Sequence, residues 1–387
     1  MMKVRVIDNT ADFAGIRAPW NRLLANSASN SIFLTHEWLF TWWQVYGGRS
    51  SLHIVLLLGG EPEELVGIFP AYIARVGMLP RVRILRLLGG SVVGSDFLDG
   101  IAARGQEAAV SRRLFAYLRE ERGWDLAELT SLGEDSLLLR HVQDNAPAFC
   151  SQPIEDARQI CPFIEFGTEP SEHWTRLKNK AKRKIRGLEP LGPLAVERVE
   201  HPEAVAEAFP AFVALHQQRR VEKGEQGIFA SAANRRFHDQ ICQAASEAGW
   251  LQLCFLTVGG SRVAAVYQFR YADRIYYYQT GYDLAWSRHS VGFVLFTLLI
   301  DQARCEGCLS YEFLRGDEPY KYTLGATGER QLVGIRLHQG SLKARLYLSQ
   351  RSVLRIVRRG ILQWLPVGMK TRLKAFLAKP GKVLNNG

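Results

Sequence analysis

Apolar residues recur along this chain in two rhythms. Period-two or unbroken apolar runs predict strands at KVRVI (3–7), LHIVLLL (52–58), ELVGIFPAYIARV (64–76), RVRILRLL (81–88), DFLDGIAA (96–103) and WDLAELTSL (124–132), with another near AFCSQ (148–152). Helical spacing predicts helices over 10–26, over the aromatic stretch HEWLFTWWQVYG (36–47), and over 106–121 and 136–144. Strands and helices that interleave in this way argue a mixed α/β domain.

The second half of the chain repeats the theme. LHIVLLLGGEPEELVGIFPAYIA (52–74) and WLQLCFLTVGGSRVAAVYQFRYA (250–272) each read as an apolar strand, a Gly-Gly turn and a second apolar strand. Two similar units in tandem follow, and the length of 387 residues suits two cores better than one. The predicted division is 1–160, 161–338 and a tail over 339–387. Trp38, Trp42 and Trp43 fall at helical spacing and are assigned to the core.

Charge changes the picture once it is located. Residues 331–387 hold twelve Lys or Arg and no acid, and the formal net charge of +11 less those twelve leaves residues 1–330 at −1. Within the tail, LKARLYLSQRSVLRIVRRGILQWL (342–365) sets Leu342, Leu346, Val353, Val357 and Trp364 on one arc and Arg351, Arg355, Arg358 and Arg359 roughly opposite. A basic amphipathic helix of this kind suits an anionic inner-membrane surface; packing of its apolar arc on the second unit, or binding of tRNA, are the competing readings. No apolar run is long enough to span a bilayer, and the first dozen residues lack the apolar stretch of a secretory leader, so the expected location is the cytoplasm, peripheral on the inner membrane. Six cysteines, most in apolar surroundings, fit a reducing compartment, and Cys305 and Cys308 lack the second ligand pair of a zinc site, so no metal is expected.

Between the halves, SEHWTRLKNKAKRKIRGLEPLG (171–192) concentrates seven basic residues in positions 176–186, with Trp174, Leu177, Ala181, Ile185 and Leu188 at helical spacing. One face docks and the other is cationic, a density that suits phosphate groups. Lys182, Arg183 and Arg186, with Arg219 from LHQQRRVEKGEQGIF (215–229), are the candidate phosphate contacts.

Taken together, the helix W-x-x-L-K-x-K-x-K-R-K-I-R-G-L-E, the 215–229 stretch, YYYQTGYD, RHSVG with its following apolar helix, and YEFLRGDEPYKYTLG resemble, in this order, GNAT-like acyltransferases of the FemAB-like, cellulose-biosynthesis CelD-like type with a BioF2-like acetyltransferase domain. The resemblance implies two tandem GNAT-like units with mixed sheets, and acyl transfer from acetyl-CoA or another acyl-CoA to a saccharide or lipid-linked envelope or exopolysaccharide precursor. GNAT proteins hold the carrier's pyrophosphate on a Gly-rich turn at a helix N-terminus. Here RHSVGF offers Arg288, Ser290 and Gly292, with Phe293 and Val294 where small residues are usual. FemAB-type relatives take an aminoacyl-tRNA instead, which stays open as the alternative donor, as does an inactive membrane-associated scaffold.

Acyl transfer needs a base for the acceptor, donors for the oxyanion and a grip on the anionic carrier. The stretch RGDEPYKYTLGA (315–326) follows the apolar run CLSYEFL and supplies candidates for each. Asp317 or Glu318 is a candidate base, Lys321 a compact cation and Arg315 a bidentate fork. The resemblance places Tyr320 in the same site. His216, followed by Arg219 and Arg220, is a further candidate base; His289 sits in the anion turn, and Asp283 is read as a cap.

Overall fold

The computed structural model describes residues 2–364 apart from 78, 145–148, 155–156, 200, 223 and 225–226; the side chains of 91, 219, 222 and 354–364 also lie outside the description. The first half contains β1 (Lys3–Ile7), β2 (Ser51–Gly59), β3 (Glu64–Val76), β4 (Val82–Leu87), β5 (Ile101–Ala102), β6 (Leu126–Gly133), β7 (Cys150–Pro153) and β8 (Gln159–Glu165). Its helices are α1 (Thr10–Gly15), α2 (Arg17–Ala25), α3 (His36–Tyr46), α4 (Glu107–Glu120) and α5 (Leu137–Asp144). The second half adds β9 (Leu194–Val199), β10 (Leu251–Val258), β11 (Ser261–Tyr271), β12 (Arg274–Tyr282), β13 (Ser310–Glu312) and β14 (Gly328–His338). Its helices are α6 (Glu172–Leu188), α7 (Pro202–Glu222), α8 (Ala232–Glu247), α9 (Val291–Cys305), α10 (Pro319–Thr323) and α11 (Leu342–Trp364).

All the described strands join one mixed sheet in the order β1-β2-β3-β4-β6-β14-β8-β13-β12-β11-β10-β9, with β5 on β3 and β7 on β14. The repeat foreseen from the two hairpins is visible here. A meander β2-β3-β4 lies parallel to β6, and a meander β10-β11-β12 lies parallel to β13; every other pairing is antiparallel. At the middle, β8, which spans the expected boundary at 160, pairs with β13, while β14, from the end of the second half, lies between β8 and β6 and joins the two halves.

Two expected elements differ. The helix over 10–26 is broken at Ile16, which caps α1 and opens α2, so Phe13 and Trp20 both reach the core. Of the strand expected over 96–103 only Ile101–Ala102 forms a strand, with a single bridge from Ala103 to Ser27, because Asp96 and Asp99 turn inward to polar partners. Asp99 accepts from Ser136 Oγ and from the backbone N–H groups of Leu137 and Leu138, and so satisfies the free donors at the start of α5.

A large core fills one sheet face and runs across both halves. Trp38 of α3 is fully buried there, donates to Ser95 Oγ at 2.8 Å and meets Phe237 of α8 edge-on at 5.1 Å, so a first-half helix packs on a second-half helix through aromatic rings. On the opposite face of the second half, α6 and α9 cover Ile275, Tyr277 and Tyr311. A third cluster joins Ala344 and Tyr347 of α11 to Val82, Ile84 and Leu126.

The start of α11 turns the described part of its apolar arc outward instead of packing it on the second unit. Ala344 and Tyr347 face inward and Arg351 bonds the buried Glu128 at 3.1 Å, whereas Leu342, Leu346 and Val353 are 71%, 48% and 57% exposed. The buried carboxylate, already held by Arg86 and Arg336, takes the still half-exposed Arg351 as a third partner, with the leucines outside. Val357, Trp364 and the remaining tail arginines lie outside the described residues.

Two predictions follow from the packing. A Cβ on Gly281 of β12 would stand 2.4 Å from the backbone nitrogen of His216, so glycine is what lets α7 lie against the strand. Gly281→Ala should lower stability by about 1–3 kcal/mol in urea melts, the usual range for overpacking, and unchanged melts would contradict this close approach. His238 is fully buried and its pKa falls to about 3, through loss of solvation and then the nearby His216. Folded chains therefore bind fewer protons there than unfolded ones, and stability declines as pH drops below the unfolded value near 6.5. By about pH 5 this amounts to roughly 2 kcal/mol, and His238→Leu should flatten that part of the pH dependence.

Candidate functional site

The site is built where two parallel strands part. β12 and β13 pair for three residues only, Arg274–Tyr276 with Ser310–Glu312. Beyond that rung β12 continues to Tyr282, while the other chain turns away at Leu314, whose φ is 58°. A wedge opens at the carboxyl ends of the pair, the position at which α/β sheets accept ligands. A register shift in β12 next to Gln268 adds one residue, which puts Tyr278 and Gln279 on the face of the large core while Tyr277 faces α9.

Aromatic groups line the side toward α9. Tyr320 of α10 donates to the hydroxyl of Tyr277 at 3.2 Å, and Phe296 of α9 meets Tyr277 edge-on at 4.9 Å. This contact sets the first turn of α9 at the wedge. Backbone N–H groups of a first helical turn have no partner within the helix and carry the positive end of its dipole. Ser290 enters the helix in the left-handed region with φ 56°, and Gly292 lies one turn from the exposed Arg288 and the half-buried His289. Asp283 caps the turn before them, accepting from Ala285 N at 3.0 Å.

The cationic helix α6 flanks the same turn. Ser171 caps it, Trp174, Leu177, Ala181 and Leu188 bury one face, and Lys180 stands 4.9 Å from the ring of Phe293. Lys178 pairs with Asp301 of α9 at 2.8 Å, where the helices touch, and Arg176 with Glu172 of its own helix at 3.0 Å on the exposed face, so part of the charge is neutralised. Lys182, Arg183 and Arg186 are exposed beyond those pairs. Phosphate-sized anions at the start of α9 would thus meet helix N–H groups on one side and ammonium or guanidinium groups on the other.

The turn after β13 is braced from within. Lys321 is 2% exposed and donates to the carbonyls of Leu314, Arg315 and Gly316 at 2.9–3.0 Å, with the Glu318 carboxylate at 2.9 Å. Its ammonium is a bolt for the turn, a different task from the oxyanion contact expected of it. Arg315 also points inward: its guanidinium meets Asp96 at 2.5 Å and donates to Ser131 Oγ at 3.0 Å and to the Ser95 carbonyl. Asp96 is fully buried; burial pushes its carboxyl up while Arg315 draws it down. Asp317 and Glu318 are exposed at the outer end of the turn, where Asp317 accepts from Tyr322 at 3.1 Å.

His216 lies on the other face of the sheet. Buried on α7, it is within 3.1 Å of Gln279 Oε1 in the continuing part of β12 and packs edge-on to Phe229. The structure therefore gathers Asp317, Glu318, Tyr320 and Lys321 on one side of the wedge and brings His216 to its strand from behind. The side chain of Arg219 lies outside the described residues. Sequence reasoning missed Asp96 and Asp301, and included Tyr277 and Gln279 only within the matching stretch YYYQTGYD, with no role of their own. No local pattern gives these four their task, since each is chosen by a partner more than forty residues away.

A second opening adjoins the same strands. A cavity of about 640 Å³ lies between α4, α5 and the loop 27–31 of the first half and Arg274, Tyr276, Glu312 and Arg330 of the second. Among the described residues no helix is long and apolar enough to cross a membrane.

Residues 175–322, from α6 through α10, match the family described as acetyltransferase (GNAT) domain. No curated protein matches the sequence. Among solved structures, FemX superposes with a TM-score of 0.59 at 11% identity, covering 89% of this chain and 99% of its own. The C-terminal domain of an Agrobacterium fabrum protein named as a lysylphosphatidylglycerol synthetase gives a TM-score of 0.52 at 11% identity, covering 89% of this chain and 97% of its own. L-PGS from Bacillus licheniformis gives 0.50 at 11% identity, covering 86% and 95%. At such identities the likeness shows a shared fold, and the family match gives it chemistry: the protein carries a GNAT-type acetyltransferase domain over 175–322 and is an acyltransferase.

Proposed function

We propose that the protein transfers an acyl group, chiefly acetyl, from acyl-CoA to an amine or hydroxyl of a saccharide or lipid-linked envelope or exopolysaccharide precursor. The observation that carries this reading is the wedge between β12 and β13, with the start of α9 and the cationic face of α6 beside it. The carrier's phosphates take the helix N–H groups, with Arg288, Lys182, Arg183 and Arg186, and the thioester enters the wedge. There the Tyr320 hydroxyl, already placed against Tyr277, donates to the leaving sulfur, while Asp317 or Glu318 takes the proton of the incoming nucleophile. His216 positions β12 through Gln279.

A second reading keeps the fold and changes the donor to an aminoacyl-tRNA. It is favoured by the neighbour named for lysylphosphatidylglycerol, an aminoacylated lipid, and by the length of the basic face on α6. Thermal melts separate the two. Acetyl-CoA at about a hundred times its dissociation constant should add about 2.7 kcal/mol of stability. Lys182→Glu/Arg183→Glu should weaken binding at least ten-fold, and Tyr320→Phe should lower turnover by about 10²-fold or more while acetyl-CoA still binds. Stabilisation by tRNA with no response to acetyl-CoA would transfer the conclusion to the second reading, and a response to neither would refute both.

We also propose that the start of α11 docks on an anionic membrane. Leu342, Leu346 and Val353 project outward near Leu79, which is 87% exposed and whose carbonyl accepts from Gln350 at 3.3 Å. Lys343 and Arg345 stand among them, in a segment that holds no acid. Deleting the whole tail would also strip Ala344 and Tyr347 from their core, so substitution is the cleaner test. Leu342→Glu/Leu346→Glu/Val353→Glu should abolish sedimentation with phosphatidylglycerol vesicles at moderate salt and leave the melting temperature in place. Equal sedimentation of variant and parent would refute this membrane face.

A further inference from the structure

The 640 Å³ cavity between the halves is lined unevenly, and the unevenness has a chemical sense. Its second-half wall is a prearranged pair of guanidinium groups. Glu312, 3% exposed, accepts from Arg274 Nη1 at 3.2 Å, from Ser310 Oγ at 2.6 Å and from Arg330 Nη1, while Arg330 stacks 3.9 Å from the ring of Phe163. One buried carboxylate thus fixes two arginines that are each about one-third exposed, 35% and 33%, where they meet the cavity. Each guanidinium has five N–H donors, so both retain donors beyond those given to Glu312. The opposite wall carries acids and bases together: Glu107, Asp135 and Asp144 with Arg112 and Arg140.

Position supplies the second argument. Tyr276 and Glu312, both cavity residues, form the last rung before β12 and β13 part. The cavity therefore begins at the base of the wedge, on the sheet face opposite α9. Resting on the acyl-transfer reading above, we propose that this cavity is the acceptor pocket and that it takes a sugar-sized molecule bearing a phosphate or carboxylate, clamped by Arg274 and Arg330. The volume suits a ligand of one or two sugar rings. A bidentate fork recognises either anion.

Calorimetric titration of the full-length protein tests this with three probes: glucose 1-phosphate, glucuronate and glucose. One or both charged probes should bind while glucose binds at least ten-fold more weakly, and the stronger of the two identifies the anion. Arg274→Gln/Arg330→Gln should reduce binding of that probe at least ten-fold while the thermal response to acetyl-CoA persists. Should the double variant fail to fold because Glu312 is left unpaired, Ala108→Trp, which narrows the cavity from α4 and leaves both arginines in place, should give the same loss. Charged probes that bind no better than glucose, or full affinity in the variants, would overturn the pocket. An absent response to acetyl-CoA alongside intact binding of a charged sugar would instead refute the donor reading and leave the pocket standing.

Discussion

The ion pair between Arg315 and Asp96 is the constraint on which the site depends. Asp96 is fully buried and lies in the first half, more than two hundred residues from its partner, and the arginine uses both its backbone N–H and its side chain to hold it. Breaking a buried pair by removing one partner leaves an uncompensated charge and costs about 3–5 kcal/mol, far more than an exposed pair contributes. The pair therefore fixes where the chain leaves β13, and Lys321 fixes how it turns, by binding three successive carbonyls. With both in place, Tyr320 is delivered to Tyr277 and the wedge has a rigid wall. The charges gathered after the apolar run of β13 thus divide by depth: the cations go inward to brace the turn, and the carboxylates remain outside at its rim.

Much of the fold was legible because it rests on local pattern. The hairpins at 52–74 and 250–272 were read from their apolar periodicity and Gly-Gly pairs, and Gly259 and Gly260 do adopt φ values of 57° and 80° in a two-residue turn. Trp38 and Trp42 were assigned to the core on spacing and are buried there. The amphipathic pattern of α6 gave its docked face correctly because that face meets a contiguous apolar surface on α9. Where long-range polar partners decide, pattern failed. Asp96 and Asp99 pulled an apparent strand out of the sheet, and the exposed Arg351 of α11 reaches over to the buried Glu128 on the side where Ala344 and Tyr347 pack. A helical arc drawn from hydrophobicity alone has no means of registering a buried carboxylate on a distant strand.

The two halves also divide labour through the sheet. Its face toward α6 and α9 is cationic and aromatic, suited to an anionic carrier; the other carries the polar cavity and the contact between α3 and α8. Chemistry at the base of the wedge can draw on both because β12 carries side chains to each face within consecutive residues, Tyr276 to one and Tyr277 to the other. On the proposed reading, the two reactants lie on separate surfaces and meet where the ladder opens.

The strand order at the centre has a consequence for how the molecule is made. β14 is the last strand of the sheet to be synthesised, yet it lies in the middle, between β6 and β8. Until residue 338 has left the ribosome, each half presents an unpaired central edge, the feature that promotes wrong associations between chains. The edge of β6 waits from residue 133 and that of β8 from residue 165, and one late segment closes both at once.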